Sequence, residues 1–138
     1  MNHECIDTNV IVRFLVETPD SIAPQFKSVF RFFERIEEGV RIVHLPEVVL
    51  FQTYFVLTSY YKVPRTLAAE KLEQIVGFKG ISMNSKSVAE ECLKIVGRER
   101  IDIVDAWILS YSRIKDLTAA YSFDKDLSRL GLKLLKVE

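Results

Sequence analysis

The chain has 138 residues, 49% hydrophobic and 28% charged, with only 5 Gly and 4 Pro and no low-complexity tract or internal repeat. That length suits one well-packed domain and is too short for two, so residues 1–138 are read as a single domain. Its 19 basic and 19 acidic residues cancel, which excludes the global pull toward nucleic acid of a strongly basic domain and leaves local basic residues or a metal to hold any polyanion.

The opening MNHECID lacks a basic segment leading into an apolar one. No apolar run approaches the roughly 20 residues that a spanning helix needs, so neither secretion nor a membrane span is expected. Cys5 and Cys92 stand outside any C-x-x-C spacing. They suggest neither a zinc site nor a disulfide framework, and a reduced cytoplasmic setting fits.

A short strand is expected over residues 3–6, ended by Asp7-Thr8-Asn9, whose polar side chains can also cap a helix over residues 10–15. After the break at Thr18-Pro19-Asp20, Ile22, Phe26, Val29, Phe30 and Phe33 recur at three- and four-residue spacing toward Gly39, which predicts one amphipathic helix. Residues 40–45 form a β-branched run suited to a buried strand, and Pro46 is placed to open a helix through residue 61. Further helices are expected from Thr66 to Gly77, from Ser85 or Ser87 to about Val96, and over residues 101–114. A short strand is expected at 81–83, strands at 117–123 and 133–137, and a turn or short helix at 124–130. Strands alternating with helices predict an α/β fold with a mostly parallel central sheet of four or five strands flanked by helices.

Such a sheet gathers its chemistry at the carboxyl ends of its strands. Asp7 ends the first strand, Asp124 and Asp126 follow residues 119–123, and Asp102 and Asp105 share one face of a helix. Hard carboxylate oxygens suit Mg²⁺ or Mn²⁺, whereas zinc would favour the scarce His and Cys. Each acid also has a structural reading: Asp7, Asp102 and Asp124 could simply cap helices. Asp105 is different, because it lies inside the apolar run 101–109, where an unpaired carboxylate is costly and needs a partner or a metal.

Taken in order, IDTNVIVRFL, IDIVDAWILSYSRIKD and AAYSFDKDLSRL resemble the acidic motifs of PIN domains, and among those the VapC-type toxin ribonucleases, over essentially the whole chain. The resemblance implies a PIN-like fold and metal-dependent hydrolysis of RNA by the toxin of a toxin–antitoxin pair, with Mg²⁺ or Mn²⁺ at Asp7, Asp105 and Asp124. It further implies Thr8, Asn9 and Ser122 as polar neighbours, Asp102 and Asp126 in support, a small antitoxin protein as partner, and a homodimer. Gln52 stands where the family usually carries a glutamate. It adds no negative charge and cannot act as a general base. Glu47, five helical positions earlier, points about 140° away and is a poor substitute.

The missing acid leaves a second reading open, a degenerate PIN domain that binds RNA or a protein without cutting. A phosphatase with Asp7 as nucleophile fails because Asn9 occupies its second acidic position. Phe51, Tyr54, Phe55, Tyr60 and Tyr61 nearly encircle the 46–61 helix, so it must bury more than one face, in the core or in a dimer. Trp107, His3 and His44 read as packing or surface residues. Arg13, Lys62, Arg65, Arg98, Arg100 and Arg113 are available to RNA but are not assigned to it.

Overall fold

A computed structural model describes residues 4–138; the part of the first expected strand that falls on His3 lies outside them. The chain enters as a single parallel bridge, Cys5 to His44, with the Ile6 N–H donating to the His44 carbonyl at 3.0 Å. It turns at once into α1 (Thr8–Val16). The expected helix of residues 22–39 is split. Pro24, which lacks an N–H and so cannot continue a helical ladder, opens a 3₁₀ turn (Pro24–Phe26), and α2 begins only at Val29 and runs to Glu38.

Gly39 ends α2 at φ 81, in the left-handed region that glycine enters without strain. The next two N–H groups then bond back to the Arg35 carbonyl. This turn consumes part of the β-branched run. Val40 and Ile42 are 64% and 47% exposed, and the strand shrinks to β1 (Val43–His44). Helix α3 (Glu47–Phe55) follows and widens into a π-helical turn (Val56–Tyr60). Next come α4 (Arg65–Val76), β2 (Ile81–Ser82) and α5 (Lys86–Arg98), which runs past the expected stop at Gly97. The chain closes with α6 (Ile103–Ile114), β3 (Ala119–Tyr121), α7 (Lys125–Arg129) and β4 (Lys133–Leu135).

The strands pair in parallel as the α/β alternation predicts, but among the described residues they do not join into the expected sheet of four or five. Val43 pairs with Ile81 and His44 with Ser82, while Ala119 to Tyr121 pair with Lys133 to Leu135 in a separate ladder. Two- and three-residue strands offer too few backbone groups to bridge the two ladders, and helices supply most of the packing. Helix α5 lies between α4 and α6, and Phe33, Ile36, Leu50, Leu57, Leu72, Leu93 and Ile103 are fully buried in the shared core. Phe14 stacks on Phe33 with ring centroids 4.2 Å apart, which clamps α1 onto α2.

One glycine is required by packing alone. A Cβ on Gly80 would collide with the carbonyl oxygens of Arg41 and Ile36, where Gly80 donates to Ile36 at 2.8 Å and its own carbonyl accepts from Val43. This close approach fixes the register of β1 on β2.

Candidate active site

Three of the five motif aspartates open helices, as their structural reading allows. Asp7 accepts from the Thr8 N–H at 2.7 Å, Asp102 from Val104 at 2.8 Å, and Asp124 from Asp126 at 2.9 Å. Satisfying an orphan amide in this way stabilises a helix by about 1 kcal/mol. It also fixes the carboxylate, leaving its second oxygen for other work. Ser122 shapes the last of these turns, its Oγ accepting from the Asp124 N–H at 2.9 Å.

Asp105 caps nothing. It sits half-buried in the first turn of α6, and desolvation, followed by a hydrogen bond to Asp124 and the charges of Asp124, Asp102 and Asp126, pushes its carboxyl up to about 6. Asp124 shifts the other way, held below the usual carboxylate range by the Asp126 amide and by the hydrogen bond from Asp105. The two shifts have a common origin: desolvation and the neighbouring charges disfavour an ionised Asp105, so below about 6 it carries a proton that it can donate to the Asp124 carboxylate. The structure therefore joins Asp105 to Asp124, with Asp102 and Asp126 near enough to be felt.

The other half of the motif set lies on α1 and α3. Thr8 is buried and its hydroxyl donates to Gln52 Oε1 at 2.7 Å. Asp7, Thr8, Asn9 and Gln52 line a cleft of about 520 Å³ together with Arg13, Glu17, Tyr60 and Tyr61. Asp7 does not enter the Asp105–Asp124 pair, and among the described residues no three acidic, His or Cys side chains are gathered closely enough to hold a metal by themselves. The expected convergence of Asp7, Asp105 and Asp124 is thus a close pair with one acid outside it. Glu47, set aside as a substitute for the missing glutamate, is engaged elsewhere, accepting from the Ser85 N–H at 3.1 Å.

The donor set nonetheless fits a hard cation. Mg²⁺ is commonly bound through one or two carboxylates with water completing its shell, and a carboxylate pair crowded enough to hold a proton is one that a divalent cation would relieve.

A family model described as the PIN domain matches residues 5–133. The chain belongs to the PIN domain family. No curated protein and no solved structure matches it. PIN domains are in general nucleases, which supports a nuclease role for this one. None of the helices in the described residues is long and apolar enough to cross a membrane.

Sequence reasoning about this PIN domain missed the company that Asp7 keeps. Tyr60 and Tyr61 were expected in the core or a dimer contact, and Arg13 was unassigned, yet all three line the Asp7 cleft. No periodicity announces this, because the π-helical turn that swings the tyrosines there is invisible to a 3.6-residue count. A second cleft is lined by Arg65, Arg100, Asp102 and Asp126. Of its two arginines, Arg65 is anchored to the Glu99 carbonyl at 3.0 Å.

Proposed function

We propose that this PIN domain is a divalent-metal-dependent endoribonuclease of the VapC type, the toxin of a type II toxin–antitoxin pair. The observation that carries the reading is the Asp105–Asp124 pair, two hydrogen-bonded carboxyls with the charges of Asp102 and Asp126 at hand. Desolvation and the neighbouring charges make an ionised Asp105 costly, and a bound Mg²⁺ or Mn²⁺ would offset that cost. Asp105 and Asp124 would hold the ion, with Asp7 contributing from the neighbouring cleft. When bound, the ion supplies an activated water and stabilises charge on the phosphate.

The chain's own residues do the rest. Ser122 holds the Asp124 backbone and the α7 amide its carboxylate, the α1 amide fixes Asp7, and Thr8 holds Gln52 in the Asp7 cleft. With Gln52 neutral, the cleft carries one negative charge fewer than a glutamate would give it.

The partners in this reading are RNA, a small antitoxin protein that covers the site, and a second copy of the chain. The edge contact of Phe51 with Trp107, ring centroids 5.1 Å apart, sets α3 beside α6. Val48 and Phe55 on one helix and Val104, Ile108 and Tyr111 on the other are exposed along the faces that carry this contact. Apolar stripes of this kind suit a dimer interface, whereas Tyr54, also a candidate for it, is buried in the core.

The test is cleavage of a mixed RNA pool with Mg²⁺, with Mn²⁺ and with EDTA. Cleavage that EDTA abolishes supports the reading, and an intact pool under all three conditions refutes it. One observation favours the second reading, an RNA- or protein-binding PIN domain without nuclease activity: the Gln52 carbonyl oxygen is already occupied by Thr8. Binding of the pool without cleavage would select it.

A further inference from the structure

Helix α3 ends irregularly. Beyond Phe55 its turn widens, with the Tyr61 N–H donating to the Val56 carbonyl at 3.2 Å, five residues back. Wide turns of this kind recur at functional sites. Lys62 then takes φ 58, a left-handed conformation that residues other than Gly, Asn and Asp seldom adopt.

The consequence of these two irregularities is the position of two aromatic rings. Tyr60 is 76% and Tyr61 44% exposed, and their rings meet edge to face with centroids 4.8 Å apart. Both line the cleft that holds Asp7, Asn9, Arg13 and Gln52. The Arg13 guanidinium is held in place there, 3.4 Å over the Phe26 ring and 3.4 Å from Glu17. One concavity therefore combines two aromatic faces, a fixed cation and a motif aspartate. Single-stranded nucleic acid is gripped by this combination, with bases stacked on rings and the backbone met by a cation, whereas a duplex keeps its bases out of reach.

We propose that Tyr60 and Tyr61 form a stacking platform for an unpaired RNA base beside the phosphate presented to the acids, with Arg13 contacting the backbone. The inference rests on the nuclease reading and deepens it. Tyr60 also borders the exposed groove of Val48, Phe51 and Phe55, where a second copy competes for it, but Tyr61 does not line that groove.

The experiment measures binding of an end-labelled single-stranded RNA of mixed sequence, and of the same strand annealed to its complement, by fluorescence anisotropy in EDTA. The proteins are the full wild-type chain, the double variant Tyr60→Leu/Tyr61→Leu and the double variant Tyr60→Phe/Tyr61→Phe. Both rings are solvent-facing, so thermal melts of all three should coincide. Removing the rings should weaken single-strand binding about tenfold or more, whereas Phe, which keeps the aromatic face, should stay within about twofold of wild type. Duplex RNA should bind wild type more weakly and be indifferent to either change.

Four results overturn the proposal: no single-strand binding by wild type, Leu variants that bind as wild type does, Phe variants that lose as much as Leu, or a loss that accompanies conversion of dimer to monomer in sedimentation. The last would assign the tyrosines to a second copy. Cleavage with Mn²⁺, scored separately on wild type, tests the nuclease reading, so the two can fail independently.

Discussion

Replacing Asp105 with Asn should make the metal-free protein more stable while abolishing cleavage. The unfolded chain releases the Asp105 proton near 3.8 and the folded chain near 6. Between those values the folded state binds more protons than the unfolded one, so stability falls as pH rises through this window, and the loss is complete above it. Asp124, held below its ordinary range, adds stability that is lost only as pH drops further, outside the same window.

Unscreened, a carboxyl moved from 3.8 to about 6 would cost about 3 kcal/mol. Asp105 is only half-buried, and solvent screening reduces the figure to about 1 kcal/mol. An Asn amide keeps the hydrogen bond to Asp124 and carries no charge, so Asp105→Asn should recover that amount near neutral pH, raising Tm by about 3 °C. Thermal melts in EDTA across the window measure it: wild type should lose Tm with rising pH, and Asp105→Asn should not. Added Mn²⁺ should raise the wild-type melt and leave the variant's almost unchanged. Parallel curves for the two proteins would mean that the fold places no cost on an ionised Asp105, and the pair would then give no reason for a bound metal.

Gln52→Glu keeps the acceptor for Thr8 and adds a charge to the Asp7 cleft, so calorimetric titration should show tighter Mn²⁺ binding; unchanged affinity would place position 52 outside the metal's reach. Gly80→Ala should destabilise the fold by about 3 kcal/mol in urea titration, because its Cβ meets the backbone carbonyls of Ile36 in α2 and of Arg41 just before β1. Phe33→Ala, which empties a fully buried site stacked on Phe14, should cost about 3–5 kcal/mol in the same assay. Of the two thiols, exposed Cys5 should react with a disulfide reagent in the native state. Cys92, buried and pushed up to about 12 by desolvation, should react only after unfolding.

The helices were legible in the sequence because their ends are written in single residues. Asp7, Asp102 and Asp124 cap as their positions suggest, Gly39 stops α2, and Pro46 opens α3. The strands were less so. A β-branched run such as 40–45 records a preference for extended backbone but not the turn after Gly39, which is set by bonds back to Arg35. Whether two short ladders join into one sheet is likewise decided by distant packing. In the site, Asp105 was marked by its apolar neighbours as needing a partner, and Asp124 is that partner. The resemblance to PIN domains grouped Asp124 with Asp105, whereas composition and spacing alone do not, because α6 and α7 meet only through the tertiary fold. The place of Tyr60 and Tyr61 depended on a helical irregularity that side-chain spacing does not encode.

The double duty of the aspartates bears on what a lineage of such chains would retain if its catalysis decayed. Asp7, Asp102 and Asp124 each hold the start of a helix, so drift would preserve them for the sake of folding in a chain that had ceased to cut anything. Their presence is therefore mute about activity. Asp105 closes no helix and weakens the structure that carries it, so a decayed chain would be expected to shed it early. Asp105 is present here and Gln52 is neutral, and these two residues, rather than the count of acids, are the ones that bear on activity.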